Sequence, residues 1–140
     1  MIGLDTNILA RYYIQDEGDE EAARQHEAAR RLVESGQPLM VCKTVVLELE
    51  WVMRGYYGFN SVEAASVLRH LLGLSQVTVE DRETVEQALS CAEAGLDFAD
   101  ALHHASYRGC RRMASFDDRK FARRAKRMGL APGVFVPQSM

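Results

Sequence analysis

Residues 1–13 read Met1-Ile2-Gly3-Leu4-Asp5-Thr6-Asn7-Ile8-Leu9-Ala10-Arg11-Tyr12-Tyr13, and this stretch decides the fold class. A short apolar segment runs straight into Asp5-Thr6-Asn7, whose side chains favour helix N-caps, and then into a mainly apolar run. The reading is a strand that delivers the chain into a helix, with an acid at the junction. The same alternation recurs outward from there. Asp16–Glu21 opens a second helix, its acids at the favourable positive end of the dipole, which runs toward Glu34 and stops at Ser35-Gly36. Leu39–Cys42 reads as a short buried strand. Thr44 caps a helix whose apolar residues Val45, Leu49, Val52, Met53 and Tyr56 recur at helical spacing, ending at Gly58.

Ser61 opens a helix over 62–72, and Val77–Val79 is a strand. A helix from about Asp81 to Ala94 is stopped by Gly95, and Asp97 starts another, from about Phe98 to Tyr107, closed by Gly109. A short strand at Met113-Ala114-Ser115, a basic helix from Asp117 or Asp118 to Met128 and a strand at Val134–Val136 complete the pattern. Short apolar strands alternating with helices imply an α/β class with a parallel sheet covered on both faces. Ligands of such sheets bind beyond the carboxyl ends of the strands. Asp5 and Asp117 stand at such ends, and Glu48 and Asp100 stand in the first turns of helices that can point the same way.

At 140 residues the chain suits one domain, residues 1–140. Its 47% hydrophobic and 26% charged residues are globular proportions. No stretch approaches the roughly 20 apolar residues that span a bilayer, and the first residues lack a basic start and an apolar secretory region, so a cytoplasmic location is expected. Cys42, Cys91 and Cys110 have no CxxC spacing and read as reduced thiols, which argues against zinc. The net charge of -3 is unevenly spread: residues 1–107 carry 18 acids and 8 bases, residues 108–127 carry 9 bases and 2 acids. Such a basic run is either a solvated face, a dock for an acidic partner or a phosphate-contacting edge. Arg112, Arg119, Arg123 and Arg124 are the candidate contacts on the phosphate-contacting reading, and the excess of Arg over Lys favours planar phosphate pairing.

Asp5, Asp97 and Asp117 each also suit a helix cap. Glu48 lies in a strongly apolar helix, where an ionised carboxylate is costly unless paired or liganded. Glu50 lies about 200° round from it, so the two cannot face one site, and Glu50 is assigned to solvent or an edge contact. Asp100, followed by Ala101-Leu102 and Ala105, is a buried-acid candidate. Asp97, one turn earlier, reads as the cap, with an outer-ligand or ligand-orienting role as the alternatives. Converging carboxylates repel unless some protonate or a cation neutralises them. An all-oxygen set selects Mg²⁺ or Mn²⁺ and suits phosphodiester hydrolysis by activated water. His103 and His104 read as surface or core hydrogen-bonding groups rather than ligands. Tyr12, Tyr13, Tyr56, Tyr57 and Phe59 read mainly as core or dimer packing, with base stacking the alternative.

Leu4-Asp5-Thr6-Asn7-Ile8-Leu9, Leu47-Glu48-Leu49 with Trp51-Val52-Met53, Leu96-Asp97-Phe98-Ala99-Asp100-Ala101-Leu102 and Ala114-Ser115-Phe116-Asp117 follow in order the signature of PIN domains. Over residues 2 to about 125 the chain resembles most the VapC toxin branch of toxin–antitoxin pairs. The resemblance implies a three-layer α/β/α sandwich around a short-stranded, mainly parallel sheet, and an RNA-cleaving activity dependent on Mg²⁺ or Mn²⁺. Its acidic set is Asp5, Glu48, Asp100 and Asp117. Asn7 and Ser115 match polar positions that support the metal or its waters, with Thr6 a weaker match; many relatives have Thr where Ser115 stands. The resemblance also implies a homodimer and a VapB-type antitoxin that covers the active site. Two rivals stand beside it. An aspartate-nucleophile phosphatase wants a second acid where the chain has Asn7, and a receiver-like or inactive scaffold would bind Mg²⁺ and dock on a partner without turnover.

Overall fold

Three parallel strands, β1 (Ile2–Gly3), β2 (Leu39–Val41) and β3 (Val77–Val79), pair in that order in the computed structural model, which describes residues 1–138. Ser139 and Met140, within the expected single domain, lie outside the described residues. The register aligns Leu39 with Val77 and Val41 with Val79, so four branched side chains share one face, and all four are buried. The opposite face is less covered than expected, since Met40 is half-buried and Thr78 exposed. A second parallel pair joins β4 (Arg112–Ala114) to β5 (Gly133–Phe135). The strands therefore form two small ladders rather than one central sheet, and each strand is only two or three residues long. The α/β class stands, with seven α-helices among the described residues.

Met1–Arg82 and Glu83–Met140 form two compact units. In the first, α1 (Thr6–Tyr13), α2 (Glu20–Val33), α3 (Lys43–Gly55) and α4 (Ser61–Leu72) bury Leu9, Val33, Leu49, Met53, Leu68 and Leu71. Asp19 caps α2, and Asn60 with Glu63 forms a capping box on α4, one residue earlier than Ser61. Thr44 does not cap α3. Cys42 occupies the cap position without a side-chain bond to the helix's free N–H groups, and Glu80, just past β3, accepts from the first helical N–H, that of Lys43, at 2.8 Å. An acid from a neighbouring strand end thus does what the sequence assigns to Thr44.

In the second unit, α5 (Arg82–Glu93) stops where Gly95 takes a φ of 113°, a value that disfavours any side chain. Asp97 then caps α6 (Phe98–Ser106) as expected. The basic segment is not a continuous α-helix. It opens with a π-helical turn, Asp118–Ala122, in which Ala122 N–H bonds Asp117 C=O at 2.9 Å, and continues as α7 (Arg123–Arg127). Phe121 and Ala125 bury this segment's inner edge. His104 is buried, its Nε2 2.7 Å from the Pro132 carbonyl and its ring edge-on to Phe121, which is the core hydrogen-bonding role expected of it. No helix among the described residues is long and apolar enough to cross a membrane.

Candidate active site

In the first unit the chain leaves β1 through Leu4 and turns into α1 at Asp5, whose backbone is extended and whose Oδ1 accepts from Thr6 N–H at 2.8 Å. Asp5 is exposed, and so is Asn7. Thr6 is buried, and its Oγ1 has no hydrogen-bond partner among the described residues. A hydroxyl in that state costs free energy unless something outside the protein meets it. Glu48 reaches the same region from α3. Asp5, Thr6, Asn7 and Glu48 all line one cavity of about 670 Å³.

The two acids of α3 exchange the environments expected for them. Glu48 is exposed, while Glu50 is 8% exposed and pairs with Arg54 at 3.3 Å. The buried stripe is Val46, Leu49, Glu50 and Met53, at spacings of three, one and three residues, rather than the stripe begun at Val45. Arg54, one turn after Glu50, was the signal for this: an i,i+4 cation compensates a carboxylate within an apolar face. Burial therefore gives no reason to single out Glu48. Its place on the cavity wall with Asp5 does. Tyr56, expected on the packed stripe, is 79% exposed.

In the second unit Asp97 Oδ2 accepts from Asp100 N–H at 3.2 Å. Asp100 is half-buried at the edge of the stripe formed by Phe98, Ala101, Leu102 and Ala105. Its carboxyl pKa is raised above the ordinary value by burial first and by the negative charges of Asp97 and Asp117 next, with His103 opposing. These three acids share one field. Asp117 is exposed; its Oδ1 accepts from Lys120 N–H at 3.0 Å and its own N–H donates to Ser115 Oγ at 3.1 Å. Asp118 binds Arg123 at 2.8 Å, which distinguishes the two adjacent acids. Neither Asp5, Glu48 nor Asp100 is fully buried, so the expense of deep burial does not explain them.

Among the described residues no three His, Cys, Asp or Glu side chains converge as a metal-holding group. Asp5, Asp97 and Asp117 are each engaged in a local cap, which holds their oxygens on backbone N–H groups. The donor chemistry nevertheless fits a hard divalent cation, because the acids offer only oxygen. The raised Asp100 carboxyl fits as well, since a cation there would relieve the repulsion that raises it.

The family model of the PIN domain matches residues 2–127. The chain belongs to the PIN-domain family. None of the curated proteins matches it significantly. PIN domains are generally nucleases that act on nucleic acid, typically with divalent metal ions, so membership supports a hydrolase of nucleic acid.

The basic segment of this PIN protein divides into occupied and open cations. Arg123 is paired with Asp118, Arg124 donates to the Gly95 carbonyl at 3.2 Å, and Arg112 lies 4.1 Å over the Phe135 ring. Arg119 is exposed and has no ion pair among the described residues.

Proposed function

We infer that the protein is a Mg²⁺- or Mn²⁺-dependent endoribonuclease, the toxin of a toxin–antitoxin pair, built as one PIN domain over residues 1–140. The observation that carries the reading is Asp100, a half-buried carboxylate with no cap of its own to form, whose pKa is raised first by burial and then by the two neighbouring acids Asp97 and Asp117. The match over residues 2–127, which runs through both units, supports it. Asp5, Glu48, Asp100 and Asp117 are the residues we propose would hold the cation. When bound, the cation lowers the pKa of a water, polarises the phosphoryl group and steadies the leaving oxygen.

The chain's own residues supply the rest. Glu48, exposed on the cavity wall, is free to orient an attacking water as general base. Ser115 holds the Asp117 backbone through its hydroxyl, and Thr6 and Asn7 present polar groups beside Asp5. Arg112, Arg119, Arg123 and Arg124 are the phosphate contacts, with Arg119 the most available. A homodimer and a VapB-type antitoxin covering the acids follow from the VapC resemblance.

The engagement of Asp5, Asp97 and Asp117 as caps favours a second reading, a PIN scaffold that docks on a partner without turnover. Turnover separates the two. Purified protein with Mg²⁺ or Mn²⁺ is expected to cleave single-stranded RNA, EDTA to stop it, and Asp100→Asn to lower the rate by roughly two orders of magnitude or more. Equal cleavage by Asp100→Asn, or cleavage indifferent to EDTA, refutes the assignment.

A further inference from the structure

Two large aromatic side chains, Trp51 on α3 and Tyr56 just past its end, are left 69% and 79% exposed. Neither contributes to the unit's core, and both line the cavity that holds Asp5 and Glu48. Exposed aromatic side chains that line one cavity mark a binding region more often than scattered apolar residues do. Gly55, one turn after Trp51 on the same helical face and also on the cavity wall, has no side chain; a Cβ there would touch the indole at 4.0 Å. That side of the indole stays uncovered. The Tyr56 ring is held edge-on to Tyr57 at 4.8 Å.

The rest of the cavity wall mixes apolar groups, Ala10 and Val52 among them, with polar ones. Its polar part includes Thr6, the amide of Asn7, and Arg11, whose Nε donates to Gln25 at 2.9 Å. A nucleobase has these two needs together, a flat face to stack and a polar edge to hydrogen-bond, and its phosphodiester suits the Arg11 cation. The volume of about 670 Å³ is that of a small-ligand pocket. We propose that Trp51 and Tyr56 form a stacking platform for an unpaired base of single-stranded RNA, seated beside Asp5 and Glu48 and selecting single strands over duplex. A base in a duplex is already stacked and paired and cannot offer its face. The platform rests on the nuclease reading for its role in substrate choice, and it binds RNA whether or not cleavage follows.

Trp51 is the chain's single tryptophan, so its fluorescence reports on this wall alone. The full-length protein in EDTA, titrated at low salt with a 2′-O-methyl single-stranded RNA, is expected to lose tryptophan fluorescence. An abasic oligomer of equal length and the matching duplex are expected to leave it unchanged. By anisotropy of labelled RNA, Tyr56→Leu should weaken single-strand binding roughly 5- to 150-fold, and Tyr56→Phe should retain it. Equal quenching by the abasic oligomer or duplex, no quenching at all, or quenching that follows protein concentration alone overturns the platform, the last pointing to a second copy of the chain. Base-dependent quenching without cleavage in Mg²⁺ or Mn²⁺ breaks the nuclease reading and leaves the platform standing. Cleavage without base-dependent quenching does the reverse.

Discussion

Asp5 and Glu48 in the first unit are solvent-facing acids on the wall of an aromatic-lined cavity, whereas Asp100 in the second is half-buried and burdened by the charges of Asp97 and Asp117. Asp100 is held against its own electrostatics. Asp5, Asp97 and Asp117 have local work as helix caps, which accounts for their residue type without any chemistry. Glu48 and Asp100 have no such work. The contrast shows that an acid at a strand end or helix start is weak evidence of a site by itself, and that an acid with no structural role and an unfavourable field is stronger evidence.

The largest expected effects separate Glu48 from Glu50. Glu48→Gln should lower RNA cleavage by roughly 10²-fold or more while leaving the melting temperature unchanged. Glu50→Ala should cost about 1–3 kcal/mol of stability, because it removes a buried acid bonded to Arg54, and should leave the folded fraction active. Thermal unfolding and cleavage measured on both variants check this, and the opposite pattern would exchange their roles.

Much of this was legible in the sequence. The strand–Asp5–helix junction, the strands at 39–41 and 77–79, the Asp97 cap and the stop at Gly95 all carry local signals in the sequence. What escaped depends on contacts distant in sequence or on helical phase. Glu80 caps α3 across 37 residues, so Thr44 was a natural but incorrect choice. The buried stripe of α3 keeps Leu49 and Met53 but runs through Val46 and Glu50 in place of Val45 and Val52, which buries Glu50 and leaves Glu48 and Tyr56 exposed. The π-helical turn after Asp117 changes the phase of the basic segment, which no composition signal announces. The elements that carry these acids were legible, but the environments of Glu48 and Glu50 were not.

A smaller effect tests the basic segment. Arg119→Ala should reduce the salt dependence of single-stranded RNA binding by about 0.7 in the log–log slope, one phosphate contact. Arg123→Ala should change it less, since Asp118 already neutralises that guanidinium. Equal slopes for both variants and the parent protein would leave the segment a solvated face.

The most direct measurement is thermal unfolding of the parent protein and Asp100→Asn, in EDTA and in Mn²⁺, from about pH 4 to about pH 7. Because the folded pKa of Asp100 is raised above 3.8, the folded state binds that proton more tightly than the unfolded chain. The stabilisation this gives is present below 3.8 and is lost as pH rises through the folded pKa. In EDTA near neutrality Asp100→Asn should therefore melt higher than the parent, with the difference closing toward acid pH. Mn²⁺ should raise the parent, by about 2.7 kcal/mol at a hundredfold excess over Kd, and raise Asp100→Asn much less. An equal Mn²⁺ response in the two proteins, or an Asp100→Asn variant that is the less stable in EDTA near neutrality, would contradict the account.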